Sequence, residues 1–178
     1  MAYVGHKEEI VVKCLVVYYS NSGSTKIVAE SIARELSADV EEVVERKPRP
    51  RLLNEEGKAV GGSAMARAAM ASFLGIGSAI GKGSANLSDY DMVLIGTPVW
   101  VGSVVPAVRS YIKRHRKQFK SVAFFCTAGT PDKLRAFSQM EKLAKLEPVA
   151  TLAVDSNDVK ANAFGEAVHS FVMRIGGG

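Results

Sequence analysis

The sequence predicts an α/β fold, a three-layer α/β/α sandwich on a five-stranded parallel sheet. Apolar, β-branched runs alternate with helical patterns along the chain. The runs are nearly continuous, as expected of parallel strands covered on both faces. Right-handed crossovers then place helices on both sides of one sheet. The length of 178 residues fits a single domain spanning residues 1–178.

The first half of the chain contains two strand patterns and two helical ones. Residues 10–19 (IVVKCLVVYY) predict the first strand, and residues 40–44 predict the second. Between them, residues 25–36 place apolar side chains on one helical stripe. Residues 46–62 contain two prolines and predict a loop, and residues 63–74 predict a helix of small residues.

The glycine-rich stretch at residues 75–84 ends that helix, because it carries four glycines. We interpret it as a flexible surface connection; a mobile lid or a subunit contact in a homodimer are the alternatives.

The second half repeats the alternation. The remaining strands are predicted at residues 91–96, 121–127 and 149–154. The remaining helices are predicted at residues 106–113, 131–143 and 161–175. Pro106 and Pro131 suit the first turns of two of these helices. In such a sheet, ligands bind beyond the carboxyl ends of the strands, where strand order reverses.

Composition argues against several functional classes. Apolar residues make up 47% and charged residues 23%, as in ordinary globular proteins. Arg67 and Lys82 interrupt the most nearly membrane-like stretch, residues 59–85, so we expect no integral membrane segment. The amino terminus lacks a secretory pattern, and we expect a cytoplasmic protein. Cys14 and Cys126 lie in apolar runs and are interpreted as small core residues, with a redox disulfide as the alternative.

The net charge is +5, from 23 Lys and Arg against 18 Asp and Glu. The densest basic cluster contains Lys113, Arg114, His115, Arg116, Lys117 and Lys120. We interpret it as a solvated helix end, where cations suit the carbonyl end of the dipole. A docking patch for an anionic partner is the alternative. Nucleic acid is not expected, because no aromatic residues interleave the charges.

The loop after the first strand has the composition of a phosphate site. It consists of Ser20, Asn21, Ser22, Gly23, Ser24 and Thr25, and is called the phosphate loop below. A helix amino terminus offers unpaired N–H groups and partial positive charge, and small residues let the backbone close around an anion. A plain helix cap is the alternative. The chain lacks G-x-x-x-x-G-K-[ST] and, after the first strand, G-x-G-x-x-G, which disfavours nucleotide-triphosphate and dinucleotide sites.

These residues resemble the flavodoxin family, whose phosphate signature is [ST]-x-[ST]-G-x-T. Ser20, Ser22, Gly23 and Thr25 occupy its fixed positions. Residues 96–102 (GTPVWVG) and 126–131 (CTAGTP) look like the family's second and third flavin loops. The resemblance covers most of the chain and implies a flavodoxin-like strand order of 2-1-3-4-5.

The resemblance implies an FMN site, with the phosphate loop on the phosphate and the other two loops around the ring. The implied ring-side residues are Thr97, Pro98, Val99, Trp100, Val101, Gly102, Thr127, Ala128, Gly129 and Thr130. Trp100 is the only tryptophan, which makes it the expected stacking residue, with a core or surface aromatic as the alternative. Gly96, Gly102 and Gly129 are expected to allow close backbone approach to the ring.

Two functions remain open within this class: electron transfer with a redox partner protein, and NAD(P)H-dependent quinone reduction. FMN carries such chemistry, so neither requires an acid–base pair from the protein. The basic charge departs from the acidic electron-carrier flavodoxins and favours anionic NAD(P)H or an acidic partner. A flavin-free partner-binding module is a further alternative. A serine hydrolase is disfavoured, because the chain has no G-x-S-x-G elbow.

Overall fold

The computed structural model describes residues 12–47, 66, 67, 70, 74, 76–129 and 133–176. Its sheet has six strands: β1 (Cys14–Tyr18), β2 (Asp39–Glu42), β3 (Met92–Trp100), β4 (Ser103–Val104), β5 (Val122–Ala128) and β6 (Thr151–Asp155). The helices are α1 (Ser24–Leu36), α2 (Pro106–His115), α3 (Lys133–Ala144), α4 (Ser156–Lys160) and α5 (Gly165–Gly176). The predicted α/β class is confirmed.

Five strands form the parallel part of the sheet, in the order β2-β1-β3-β5-β6. They correspond to the five predicted strands, so the expected order of 2-1-3-4-5 is confirmed. The register aligns Leu15 of β1 with Asp39 on one side and Val93 on the other. The addition is β4, which pairs antiparallel with the end of β3.

Each face of the sheet carries its own apolar cluster. On one face, Phe124 packs among side chains from α2 and α3. On the other, Phe125 packs among side chains from α1 and α5. Both rings are fully buried, which contributes about 1.5–3 kcal/mol each relative to exposure. Two adjacent residues of β5 therefore pack against the helices on both faces of the sheet.

The two cysteines are free and buried, as small core residues. Cys14 belongs to the cluster under α1 and α5, whereas Cys126 belongs to the cluster under α2 and α3. Because they face opposite sides of the sheet, they form no disulfide with each other.

The closing helix predicted at residues 161–175 corresponds to α5, which begins at Gly165 instead of residue 161. The short helix α4, which follows β6 directly, was not predicted. The Asp155 side chain accepts a hydrogen bond from the Asn157 amide at 2.9 Å, which caps α4. Asn162 then adopts a left-handed conformation, with φ of 54°, and separates the two helices.

The glycine-rich stretch is anchored on the domain where it is described, residues 76–84. Ile80 is buried and forms an antiparallel bridge with Glu45. The buried carboxylate of Glu41 accepts hydrogen bonds from the amides of Ser84 and Ala85, at 2.9 and 2.8 Å. The predicted helix over residues 63–74 lies mostly outside the described residues. None of the helices within the described part of the chain has the length and apolar character needed to cross a membrane.

The basic cluster lies where a helix end was predicted. Lys113, Arg114 and His115 form the last turn of α2. Arg114 donates a hydrogen bond to the Gly81 carbonyl oxygen at 2.7 Å, so this helix end also contacts the glycine-rich stretch.

Candidate functional site

The carboxyl ends of three parallel strands lie side by side at one edge of the sheet. Tyr18 of β1 is in register with Gly96 of β3, and Pro98 of β3 is in register with Thr127 of β5. The Tyr19 amide extends this alignment by donating to the Gly96 carbonyl oxygen at 3.2 Å. The structure therefore brings the three predicted ligand segments to a single edge.

The phosphate loop ends in an open helix amino terminus. Gly23 is the residue that precedes α1, and its φ of 94° lies in the left-handed region that favours glycine. No side chain caps this helix, and no acidic residue lies in its first turn. The Ser20 hydroxyl instead accepts a hydrogen bond from the Gly23 amide at 3.1 Å, which closes the loop on itself. A plain side-chain cap therefore does not describe this loop.

Two further features of the loop fit an anion. A Cβ atom added at Gly23 would meet nothing within 4 Å, so the space above the loop is open. The Asn21 side-chain nitrogen is buried and has no hydrogen-bond partner among the described residues. Burying an unpaired donor costs about 1–3 kcal/mol, which a phosphate oxygen accepting from it would offset. The first-turn N–H groups of α1 are further donors without helical partners, so the loop as a whole is rich in donors.

A buried hydrogen bond joins the phosphate loop to the end of β5. The Thr25 and Thr127 hydroxyls are 2.8 Å apart, and both residues are almost fully buried. Thr127 was expected to contact ligand; the structure also gives it this structural role. Ala128 is buried at the end of β5, Gly129 is exposed with open space where a side chain would lie, and Thr130 lies outside the described residues.

The segment expected to be a loop after the third strand is largely a β-hairpin. β3 continues to Trp100, and Ser103 pairs back with Trp100 as the start of β4. Only Val101 and Gly102 form the turn, and both have positive φ, of 51° and 66°. Two-residue hairpin turns of this kind match the twist of the strands. We call residues 100–103 the ring-side hairpin.

Val101 is conformationally unusual at this turn. A β-branched residue at positive φ is an outlier, of the kind that costs about 1–3 kcal/mol. Its side chain is 59% exposed, so core packing does not explain its presence. Strain of this kind occurs mainly at functional sites, where the surrounding structure enforces it.

Trp100 lies at the base of the turn, half-buried against the core. Its ring meets the Tyr19 ring edge-on, with centroids 6.3 Å apart. The Tyr19 hydroxyl donates to the buried Glu45 carboxylate at 3.2 Å. Trp100 is therefore held beside the residue that leads into the phosphate loop.

Four other predicted positions, Gly96, Thr97, Pro98 and Val99, are residues of β3 instead of loop residues. Thr97 is fully buried in β3, where its hydroxyl donates to the Pro98 carbonyl oxygen at 2.8 Å; Val99 is buried too. At Gly96, an added Cβ would lie only 2.1 Å from the Phe125 ring. Packing against Phe125 is thus a sufficient reason for the glycine, and its expected close approach to a ligand ring stays a prediction.

A buried polar network under the ring-side hairpin was missed by sequence reasoning. The Gln139 carbonyl oxygen accepts from the Val104 amide at 3.1 Å and from the Arg109 guanidinium at 2.5 Å. Arg109 also donates to the Val104 carbonyl oxygen at 3.1 Å, and the Gln139 amide donates to the Ser103 hydroxyl at 3.3 Å. One feature of the sequence could have pointed to this network: Arg109 is a charged residue on the apolar stripe of its helix, between Val105 and Ile112.

Burial is the main cause of the pKa shifts of two side chains near the site. Burial, with a smaller contribution from Arg135, lowers the pKa of Arg109 below its usual range. At the other end of the site, burial and then Glu42 raise the pKa of Tyr18 to about 12. The Tyr18 hydroxyl, which donates to Glu42 at 3.3 Å, stays protonated near neutral pH.

Comparison with known proteins identifies the family of this chain and solved structures that resemble it. The flavodoxin family profile matches residues 13–154. A flavoprotein from Lactobacillus acidophilus NCFM, solved in complex with FMN, superposes with a TM-score of 0.65 at 25% identity, covering 84% of this chain and 97% of that one. No curated protein has a significantly similar sequence.

Two further solved structures share the fold. A candidate flavoprotein from Bacteroides uniformis ATCC 8492 has a TM-score of 0.67 at 20% identity, over 90% of this chain and 97% of its own. The apo form of the Lactobacillus acidophilus flavoprotein has a TM-score of 0.58 at 23% identity, over 84% of this chain and 95% of its own.

Proposed function

Because this chain belongs to the flavodoxin family, we propose that it binds FMN and acts as a flavoprotein in electron transfer or in flavin-dependent reduction. The observation that carries the proposal is the open helix amino terminus at Gly23, with the buried, unpaired Asn21 amide beside it. An anion cradle and a ring-side hairpin at one sheet edge suit a ligand with a phosphate at one end and an aromatic ring at the other.

The phosphate loop would hold the FMN phosphate. Backbone N–H groups at the start of α1 and the Asn21 amide donate to the phosphate oxygens in this proposal, and the hydroxyls of Ser20, Ser22 and Ser24 add donors. Ser22 is exposed, and Ser20 and Ser24 are half-buried, so these side chains can reach a ligand. Thr25 and Thr127 support the loop through their mutual hydrogen bond.

The ring-side hairpin and the end of β5 would surround the flavin ring. Trp100 and Val101 offer apolar surface on one side, and the backbone near Gly129 offers polar groups for the ring edge. The Lactobacillus acidophilus flavoprotein, which superposes on this chain and was solved in complex with FMN, supports FMN as the ligand. Gly96, Thr97 and Val99 then support the hairpin from within the sheet.

FMN supplies the electron or hydride chemistry when it is bound. The protein contributes binding, orientation and exclusion of water. Net charge of +5 favours an anionic electron donor such as NAD(P)H, or an acidic redox partner. Quinone reduction with NAD(P)H is thus the more specific form of the proposal, and electron carriage between proteins is the other.

The direct test is flavin content. We expect purified protein to be yellow, to release FMN on denaturation, and to take up one FMN per chain when the apoprotein is titrated. Riboflavin, which lacks the phosphate, should bind more weakly. A colourless protein that also fails to take up added FMN would overturn the proposal.

Adding NADH or NADPH to the FMN-loaded protein without oxygen separates the two roles. If the protein is a reductase, its flavin absorbance falls when the nucleotide is mixed in, and adding a quinone then restores the absorbance. A protein whose flavin stays oxidised under both nucleotides is a carrier that receives electrons from a partner.

A further inference from the structure

We propose that Arg109 and Gln139 are positioning residues for the flavin ring, because they clamp β4 and thereby fix the ring-side hairpin. The inference rests on the proposed FMN binding. It assigns a role in flavin affinity and redox potential to two helix residues outside all three ligand segments, the buried Arg109 and the half-buried Gln139.

β4 contains two residues, Ser103 and Val104, and a two-stranded hairpin of this size is marginal by itself. Arg109 and Gln139, called the clamp below, bind both backbone polar groups of Val104. Gln139 accepts from the Val104 amide at 3.1 Å, and Arg109 donates to the Val104 carbonyl oxygen at 3.1 Å. The contact between the Arg109 guanidinium and the Gln139 carbonyl oxygen closes the network.

Ser103 is the strand partner of Trp100, and its hydroxyl accepts a hydrogen bond from the Gln139 amide at 3.3 Å. Ser103 is fully buried, and Gln139 is half-buried beside it. A shift of Gln139 therefore moves the residue directly opposite Trp100, the expected stacking residue.

A turn with Val101 at φ of 51° persists only when the structure around it enforces that conformation. The described contacts that enforce it on the β4 side come from the clamp and from the pairing of β4 with β3. α2 and α3 thus impose a hairpin shape that the turn sequence alone disfavours.

A clamp on the ring side predicts a specific pattern of ligand effects. Loosening it should weaken FMN and riboflavin by the same factor, because both contain the ring. It should also change the midpoint potential, because oxidised and reduced rings interact differently with the hairpin. A defect in general folding or in the phosphate loop does not produce this combination.

The test compares Gln139→Met, Arg109→Lys and Gln139→Glu in the full-length chain, with Gln118→Met as the matched control at an exposed position of the α2 end. Gln139→Met removes both polar atoms at similar volume. Gln139→Glu keeps an oxygen for Arg109 and the Val104 amide, and adds a negative charge. Circular dichroism and urea unfolding establish that each variant is folded before flavin is added.

We expect Gln139→Met and Arg109→Lys to weaken FMN and riboflavin alike, by roughly tenfold, as for the loss of buried hydrogen bonds. The Val104 amide should exchange hydrogen faster in the apoprotein. Gln139→Glu should retain FMN affinity within about threefold and lower the midpoint potential, because a nearby negative charge disfavours added electrons. Gln118→Met should match the parent in every measurement.

Folded variants that bind both flavins as the parent does, at an unchanged midpoint potential, would overturn the clamp while leaving the proposed function intact. A loss confined to FMN, with riboflavin unaffected, would also overturn it, because the effect would then lie on the phosphate side. A parent protein that binds neither flavin would instead overturn the proposed function, and the clamp with it.

Discussion

The phosphate loop and the ring-side hairpin lie at the same sheet edge but are built in opposite ways. The phosphate loop is local: six consecutive residues, a left-handed glycine and the start of α1 supply its donors. The ring-side hairpin is not local, because its shape depends on Arg109 and Gln139 from two different helices. An anion site can thus be encoded in one short segment, whereas a surface shaped for an aromatic ring needs support from the core.

The largest effect should come from placing a charge in the phosphate loop. Gly23→Asp brings a carboxylate to the open space above the loop, and like charges about 4 Å apart repel by about 4 kcal/mol in a surface-like dielectric. We expect FMN affinity to fall roughly a thousandfold while riboflavin affinity changes little. Titration of the apoprotein with each flavin measures this.

Two controls accompany that variant. Gly23→Asn has the same shape without the charge and tolerates positive φ better than most residues, so it should lose much less affinity. Ser88→Asp adds the same charge in the exposed turn that precedes β3, at the opposite edge of the sheet, and should leave FMN affinity unchanged. Equal losses of FMN and riboflavin in Gly23→Asp would contradict the local character of this region.

Gly96→Ala tests the non-local character of the hairpin strand. The added Cβ would collide with the Phe125 ring, and we expect a loss of about 3 kcal/mol in the free energy of unfolding, as for overpacked cores. Gly165→Ala is the matched control, because its Cβ would meet nothing within 4 Å. Urea unfolding of the apoproteins gives both values. If Phe125→Leu did not restore stability to Gly96→Ala, packing against that ring would not be the reason for the glycine.

Thr127→Val tests the bond that joins the two regions. It leaves the buried Thr25 hydroxyl without this partner, which should cost about 2 kcal/mol of stability. Thr25→Val should have a similar cost, and the double variant should lose less than the sum of the two. Denaturant unfolding of the four proteins completes the cycle. Simple additivity would show that the two hydroxyls do not interact energetically.

Trp100→Leu probes the ring side alone. Removing an aromatic stacking surface should weaken FMN and riboflavin equally, by about 1.5 kcal/mol. Fluorescence titration with both flavins measures the ratio. Phe119, a buried aromatic residue near the end of α2, offers a comparison: Phe119→Leu should lower stability without a specific effect on flavin affinity. A Trp100→Leu variant that binds both flavins as the parent does would exclude ring stacking.

The smallest effect should come from relieving strain at the turn. Val101→Asn creates an Asn-Gly pair, the sequence that two-residue hairpin turns of this type prefer. We expect the apoprotein to gain about 1 kcal/mol of stability, which corresponds to roughly 2–4 °C in Tm. Thermal unfolding with and without FMN checks it. A gain in stability together with weaker flavin binding would show that the strained valine serves the ligand.

Much of the fold was predictable because its signals are local. The buried strands β1, β3 and β5 are apolar runs, and the helical stripes of α1 and α2 are regular. The short helix α4 and the late start of α5 were not predicted, since they depend on the cap at Asp155 and the left-handed Asn162. The hairpin was also missed: residues 96–102 contain two glycines and a proline, which suggest a loop when pairing with Val104 is unknown.

The alternation of strands and helices can be predicted from the amino-acid sequence, and the phosphate loop can be singled out there, because a polar segment between a buried strand and an amphipathic helix is recognisable without any distant contact. The rest of the candidate site depends on tertiary contacts. The structure shows that Gly96 accommodates Phe125, that Thr25 meets Thr127, and that α2 and α3 hold β4. The two kinds of feature differ in sequence separation. Backbone donors at a helix end are set by neighbouring residues, whereas packing and buried hydrogen bonds depend on residues far apart in the chain.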